Sequence, residues 1–204
     1  MLRSTLGAIR PAAIKVGMLG TDDAARNVLL ALAPIPSTPI VIDPVLAASD
    51  GSPLLERRAY PALRNLAFQK CLLTPNWPEA EILLETSLPR RKDGEAGARQ
   101  LLKDLELEGV LLKGGHLDGD AADLFVYREG DPKSGEIMSE WLPGERIPGE
   151  PVHGTGCALS AAITAGLALG LPLRESVVRA RKYVRKAIAG AQSLPNGARI
   201  LRFS

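Results

Sequence analysis

The stretch PVHGTGCALS, residues 151–160, sets Gly154, Thr155, Gly156 and Cys157 side by side, directly ahead of the apolar run ALSAAITAGLALG. A Gly-rich turn that feeds straight into a helix aims several main-chain N–H groups at one point. The positive end of the helix dipole stands behind them. Gly154, Thr155 and Gly156 would build such an anion site, and Cys157 would sit inside it. A thiol at a helix start is placed to accept a proton from a bound ligand. The competing reading is a turn that only tightens a helix start.

Other polar residues gather at the ends of short apolar runs. Asp43 follows PIVI (39–42), Thr74, Asn76 and Glu79 follow CLL (71–73), and Lys113, Gly114 and Gly115 follow GVLL (109–112). In an open α/β sheet, ligands collect at the carboxyl ends of the strands, so these turns converge on one edge. Glu79 either holds Mg²⁺, directly or through water with Asn76 helping, or closes a capping box with Asn76. Lys113 either neutralises phosphate charge or snorkels to water. Asp43, before Pro44, is a ligand on the same edge or only a turn former. Met18, at the end of the first strand, lines a pocket or packs in the core. Trp77 and Trp141 cover apolar surface or stack on a ring. His116 and His153 do not space as metal ligands with either cysteine, and Cys71 reads as a small buried hydrophobe.

The elements that must hold these residues alternate. Strands are expected at 14–19, 39–42, 71–73 and 109–115, with a hairpin pairing 122–129 with 134–142 and a last strand within 197–203. Helices are expected at 22–33, capped by Thr21 or Asp22, at 78–86 with a proline in the first turn, and at 95–108, 156–169 and 173–191. Residues 54–68 have helical periodicity that Pro61 breaks. Residues 2–10 have the apolar spacing of a helix. The alternation predicts a doubly wound α/β sheet in a single domain.

Composition narrows the function. Net charge is +2 and aromatics are 4 %, which argues against nucleic acid as a partner. Two cysteines far apart in the chain make neither a disulfide framework nor a metal site. No apolar run reaches the length of a membrane span and no signal peptide is evident, so a cytoplasmic location without membrane association is expected.

Six blocks in order, KVGML (15–19), DPV (43–45), SDGSPLL (49–55), TPNWPEAEILL (74–84), LLKGGH (111–116) and HGTGCALSAAI (153–163), resemble the hydroxymethylpyrimidine/phosphomethylpyrimidine kinases of thiamine biosynthesis. These are ribokinase-like enzymes similar to pyridoxal kinases. The resemblance implies an α/β three-layer α-β-α sandwich. It also implies ATP- and Mg²⁺-dependent phosphorylation of 4-amino-5-hydroxymethyl-2-methylpyrimidine and of its monophosphate, and a homodimer. It assigns Gly154, Thr155 and Gly156 to the anion hole and Cys157 to the general-base position, which sugar kinases of the superfamily fill with aspartate. Lys113, Gly114, Asn76 and Asp43 fall on the ATP-phosphate side, Glu79 at Mg²⁺, and Met18 in the pyrimidine pocket. Two departures stand out. By analogy with relatives that open on a strand and a segment like AGTDPSGGAG, residues 1–204 are expected to be a partial kinase domain lacking about 65 N-terminal residues. The C-terminal segment reads LPNGARI where a GHGP-like segment is usual. A pyridoxal or pyridoxine kinase, and a nucleotide-binding remnant without kinase activity, are the alternative readings.

Overall fold

The computed structural model describes residues 2–35, 37–48, 52–64, 71–116, 120–131, 133–195 and 197–203. Helix α1 (Leu2–Ala8) precedes strand β1 (Ile14–Val16), helix α2 (Asp22–Leu32) and strand β2 (Ile40–Ile42). A 3-10 turn at Arg57–Ala59 leads into α3 (Tyr60–Arg64), followed by β3 (Cys71–Leu73), α4 (Trp77–Leu84), α5 (Arg91–Asp104) and β4 (Gly109–Leu112). The hairpin β5 (Asp123–Glu129) and β6 (Glu136–Leu142) comes next, then β7 (Val152–His153), α6 (Thr155–Ala168), α7 (Leu173–Ala189), β8 (Gln192–Ser193) and β9 (Arg199–Ile200).

Strands β1 to β6 form one sheet in sequence order, parallel from β1 to β4 and antiparallel through β5 and β6. A small second sheet has the order β7-β9-β8. Residues 40–42, 71–73 and 109–112 are buried at every position, because helices cover both faces and such strands need apolar side chains on each side. One core, with Ile40, Ile42, Leu73, Val110 and Leu112, packs beneath α2 to α5. The other, with Val41, Leu72, Leu111 and Phe125, packs beneath α6 and α7. Alternate residues of each strand thus serve opposite layers, and the three-layer α-β-α sandwich is the observed architecture.

The doubly wound expectation is corrected. Among the described strands the order never reverses, so no switch point of that kind divides the sheet. The second face is covered by the last two helices, not by a second set of crossovers. Local readings differ in extent. Strand 14–19 ends at Val16, and Gly20 turns the chain at φ 75° toward Thr21, whose Oγ1 accepts the Ala24 N–H at 3.2 Å. The periodic stretch 54–68 becomes the 3-10 turn and the short α3, while 65–68 lie outside the described residues. Helix α5 begins at Arg91, four residues before the predicted start, and the strand expected in 197–203 is only Arg199–Ile200. Residues 49–51 of the SDGSPLL block lie outside the described residues.

Trp77 and Cys71 show how helices and strands lock together. The Trp77 ring is buried and its Nε1–H donates to the Leu88 carbonyl at 2.7 Å. It packs so closely on α5 that a Cβ at Gly94 would overlap the ring. Cys71 is fully buried, and burial pushes its thiol far above its ordinary pKa, as suits a packing residue. Trp141, half-buried on β6, carries the Arg91 guanidinium over its ring at 5.1 Å. Overpacking a dense interface costs about 1–3 kcal/mol, more than the roughly 1 kcal/mol that alanine gains over glycine in helix propensity. Gly94→Ala is therefore expected to lower the urea midpoint. A midpoint that rises instead would show that the Trp77 ring yields at no cost.

Candidate active site

The site begins with where the strands end. The Asp43 N–H donates to the Val16 carbonyl, and the Thr74 N–H to that of Ile42, so the ladder continues one residue past each strand. The Lys113 N–H bonds to the Pro75 carbonyl at 2.9 Å, in a parallel bridge between Lys113 and Asn76. This staggered edge brings Asp43, Asn76 and Lys113 together although 70 residues separate Asp43 from Lys113.

At the centre, the Lys113 ammonium donates to Asp43 Oδ1 at 3.0 Å and lies 3.8 Å from Glu79 Oε2. Both carboxylates are buried, at 2 % and 5 % relative exposure, while the lysine side chain keeps 17 %. Glu79 also closes the capping box: its N–H donates to Asn76 Oδ1 at 2.8 Å, and its Oε2 accepts the Asn76 N–H at 2.7 Å. Its other oxygen accepts the Leu46 N–H at 3.4 Å. That bond pins the loop after Asp43, in which Val45 is held at φ 43°, a strained conformation for a β-branched residue.

Helix α6 supplies the opposite wall. Gly154 takes the left-handed conformation at φ 82°, which glycine adopts freely, and no side chain caps this helix end. The first-turn N–H groups are therefore left for a ligand or solvent, unlike those of α2 and α4, which Thr21 and Asn76 cap. A Cβ on Gly156 would lie 3.3 Å from the Lys113 nitrogen, so the cation sits directly against the first turn of α6. Cys157 is exposed in the same turn. Ser160, fully buried, is 3.1 Å from Asp43 Oδ2 and equally far from the Gly156 and Cys157 carbonyls. Its single proton goes most favourably to the carboxylate, tying α6 to the strand edge.

An apolar groove of about 460 Å³ opens beside Gly154 and Cys157, walled by Ala161, Ala162, Tyr183 and Phe203. The Tyr183 and Phe203 rings stack with centroids 5.4 Å apart. A second depression, lined by Leu83, Leu84, Gln100 and Asp104, holds none of these residues.

The structure thus gathers Asp43, Asn76, Glu79, Lys113, Gly156 and Ser160 at one point, with Gly154, Thr155 and Cys157 on the adjoining turn. Gly114 follows at the same strand end, where a Cβ would overlap the Ala122 carbonyl oxygen. Thr74 is buried, with its hydroxyl 3.3 Å from the Ile42 carbonyl, and belongs to the sheet. Met18 follows β1 on the same edge and is 63 % exposed, so it is not a core residue. The sequence reading missed Ser160, although it falls four residues after Gly156 and three after Cys157 and so shares their helix face. It also missed Asp123 and Arg181, which no local spacing connects. Among the described residues no cluster of three metal-ligating side chains occurs, and no helix is long and apolar enough to cross a membrane.

An uncapped helix start facing a lysine held by two carboxylates, at the carboxyl edge of an α-β-α sandwich, makes an anion-favouring site on an α/β protein. The pattern of the phosphomethylpyrimidine kinase family matches residues 1–201, and the chain belongs to that family. A multifunctional thiamine biosynthesis protein, ThiED, of Corynebacterium efficiens is 34 % identical over 199 residues, covering 97 % of this chain and 26 % of that protein. The chain therefore spans about a quarter of that relative's length. A hydroxymethylpyrimidine/phosphomethylpyrimidine kinase of Staphylococcus aureus is 33 % identical over 198 residues, 96 % of this chain and 69 % of the relative. In structure, the ADP complex of Bacillus subtilis pyridoxal kinase superposes with a TM-score of 0.82 at 27 % identity, covering all of this chain and 73 % of the other.

The family match begins at residue 1 and takes in α1 and β1. That finding overturns the expectation of a chain lacking about 65 N-terminal residues, and with it the description as an N-terminally truncated sandwich.

Removing one member of a buried ion pair strands the other, at a cost of roughly 3 kcal/mol or more. Lys113→Met, which leaves Asp43 and Glu79 both buried without their cation, should accordingly lower the denaturant midpoint below that of Asp43→Ala, which leaves the lysine beside Glu79, and Asp43→Ala/Lys113→Met should recover part of the loss. A double variant that loses the sum of the two single losses would mean that the pair contributes nothing as a pair.

Proposed function

We propose that this chain transfers the γ-phosphoryl group of ATP to the hydroxymethyl oxygen of 4-amino-5-hydroxymethyl-2-methylpyrimidine, and then phosphorylates the monophosphate to the diphosphate. The observation that carries this reading is the Lys113 ammonium, fixed 3.0 Å from Asp43 against the uncapped first turn of α6. Phosphoryl transfer asks a protein chiefly for positioning and for charge stabilisation on the transferring oxygens. The N–H groups of the Gly154–Gly156 turn and Lys113 supply both. Cys157 takes the proton from the substrate hydroxyl as that oxygen bonds to phosphorus. The bond from the γ-phosphorus to the β–γ bridging oxygen breaks, and ADP leaves. Asn76 and Gly114 line the phosphate side, the groove beside Tyr183 and Phe203 accepts the purine ring, and Met18 covers the pyrimidine.

Asp43 and Glu79 set two carboxylates against one ammonium, a balance that favours a cation arriving with the nucleotide. Both carboxylates are already hydrogen bonded to protein groups, so they would hold Mg²⁺ through its retained waters. The ion supplies charge neutralisation on the phosphates.

A pyridoxal kinase is the second reading, favoured by the close superposition on the Bacillus subtilis enzyme. ATP consumption measured side by side with the pyrimidine, its monophosphate and pyridoxal separates the two. Turnover of pyridoxal alone overturns the pyrimidine assignment, and turnover of none overturns both. With the preferred substrate, Cys157→Ala is expected to lower kcat by roughly 10²–10⁴ while ATP affinity, measured by calorimetry, stays unchanged. An unaltered kcat removes Cys157 from the mechanism.

A homodimer is part of the same proposal. Ile9 and Leu30 are exposed apolar residues near the edge strand β1 and its helices, surface that a second copy would cover. Light scattering over a concentration series is expected to show a dimer, and a monomer at every concentration would remove it.

A further inference from the structure

Lys113 is a flexible side chain, and its usefulness against a phosphate depends on where the main chain launches it. One side of that launch point is bonded to Pro75 in the β3–α4 turn. The other side is held by a less obvious device. The next residue, Gly114, donates its N–H to Asp123 Oδ1 at 2.8 Å. Asp123 opens β5, the antiparallel neighbour of β4. Its second oxygen, Oδ2, accepts the Nε–H of Arg181 on α7 at 2.7 Å. Arg181 Nη2 in turn donates to the Leu142 carbonyl at 2.9 Å and the Pro143 carbonyl at 3.3 Å, at the end of β6. Both side chains are largely buried, at 11 % and 14 % exposure.

Asp123 spends both carboxylate oxygens, and Arg181 its Nε and Nη2, on protein partners. A buried ion pair is weak grounds for stability alone, because desolvating both charges offsets much of their attraction. Its strength lies in geometry. A carboxylate with one oxygen on a main-chain N–H and the other on a guanidinium has little freedom left. Gly114 cannot move toward β5 either, because the Ala122 carbonyl oxygen fills the place of a Cβ. The turn that carries Lys113 is thus clamped between α4 and α7.

We infer that Asp123 and Arg181 are positioning residues for the phosphate site, acting through the Gly114 main chain to hold Lys113 on the transferring phosphate. This deepens the kinase reading above and rests on it. The test is a mutant cycle read by binding. ATP and adenosine affinities are measured by calorimetry for the full chain, Asp123→Ala, Lys113→Ala and Asp123→Ala/Lys113→Ala. A lost charge-assisted hydrogen bond corresponds to about tenfold or more in affinity. Asp123→Ala should weaken ATP by about that factor and leave adenosine, which has no phosphate, unchanged. In the Lys113→Ala background it should cause no further loss, and Asp123→Asn, which keeps the acceptor for Gly114, should restore most of the ATP affinity. If Asp123→Ala does not fold, Arg181→Gln carries the same cycle with a smaller expected loss. Equal weakening of ATP and adenosine, or a loss that persists without Lys113, overturns the inference in favour of a purely structural pair. A chain that prefers ATP through Lys113 but ignores Asp123 and Arg181 overturns this inference alone. A chain with no preference for ATP over adenosine, unaffected by Lys113→Ala, overturns the kinase reading and this inference together.

Discussion

The structure turns on one ammonium group. Lys113 Nζ sits between Asp43 and Glu79 and against the first turn of α6, so strands β2 and β4, helix α4 and helix α6 all meet at a single charge. At about 4 Å, opposite charges attract by roughly 4 kcal/mol under the effective dielectric of a protein surface, and far less in water. Such a cation needs carboxylates within reach, and they must be buried to resist screening. It needs them off the axis of the helix dipole, so that the positive helix end and the lysine both remain turned toward an anion. The glycine at 156 follows from the same requirement, because a side chain there would press on the lysine.

The layering of the sandwich provides this arrangement. Helices α2 to α5 lie on one face and link the parallel strands, so each of these strands ends at the same edge. Helices α6 and α7 lie on the other face and come last in the chain. The N-terminus of α6 can therefore be brought to that edge without belonging to any crossover between strands of the six-stranded sheet. Charge from the strand ends and uncapped N–H groups from the helix arrive from opposite layers. Ser160 closes the joint between them, from the helix face that carries Leu159 and Ile163 into the core.

Glu79 shows why two readings of one residue need not compete. From spacing alone it was a capping residue or an ion-site residue. The structure satisfies the capping box in full and still leaves the same oxygen 3.8 Å from Lys113. The cap fixes the carboxylate, and the fixed carboxylate serves the charge cluster. A capping box at the start of a helix after a parallel strand stands on the ligand edge by construction, because αN-termini and strand C-termini coincide there.

Much of the fold was legible because it is local. The apolar blocks IVI, CLL and GVLL are short and continuous, as strands buried on both faces must be, and α2, α4, α6 and α7 were placed to within two residues or so by their caps and periodicity. The GTGC turn and the capping pair were legible for the same reason: their partners lie within four residues. Sequence determined which residues carry charge, which glycines admit a turn, and that polar residues follow apolar runs. Only the tertiary structure decided that Asp43 pairs with Lys113 across 70 residues, that Ser160 reaches Asp43 across 117, and that Asp123 meets Arg181 across 58. It also decided that the described strands of the large sheet run in one order with no reversal. Those contacts depend on strand register and on which face each helix covers. Both are set by packing over the whole sheet, which short spacings in a single chain do not encode.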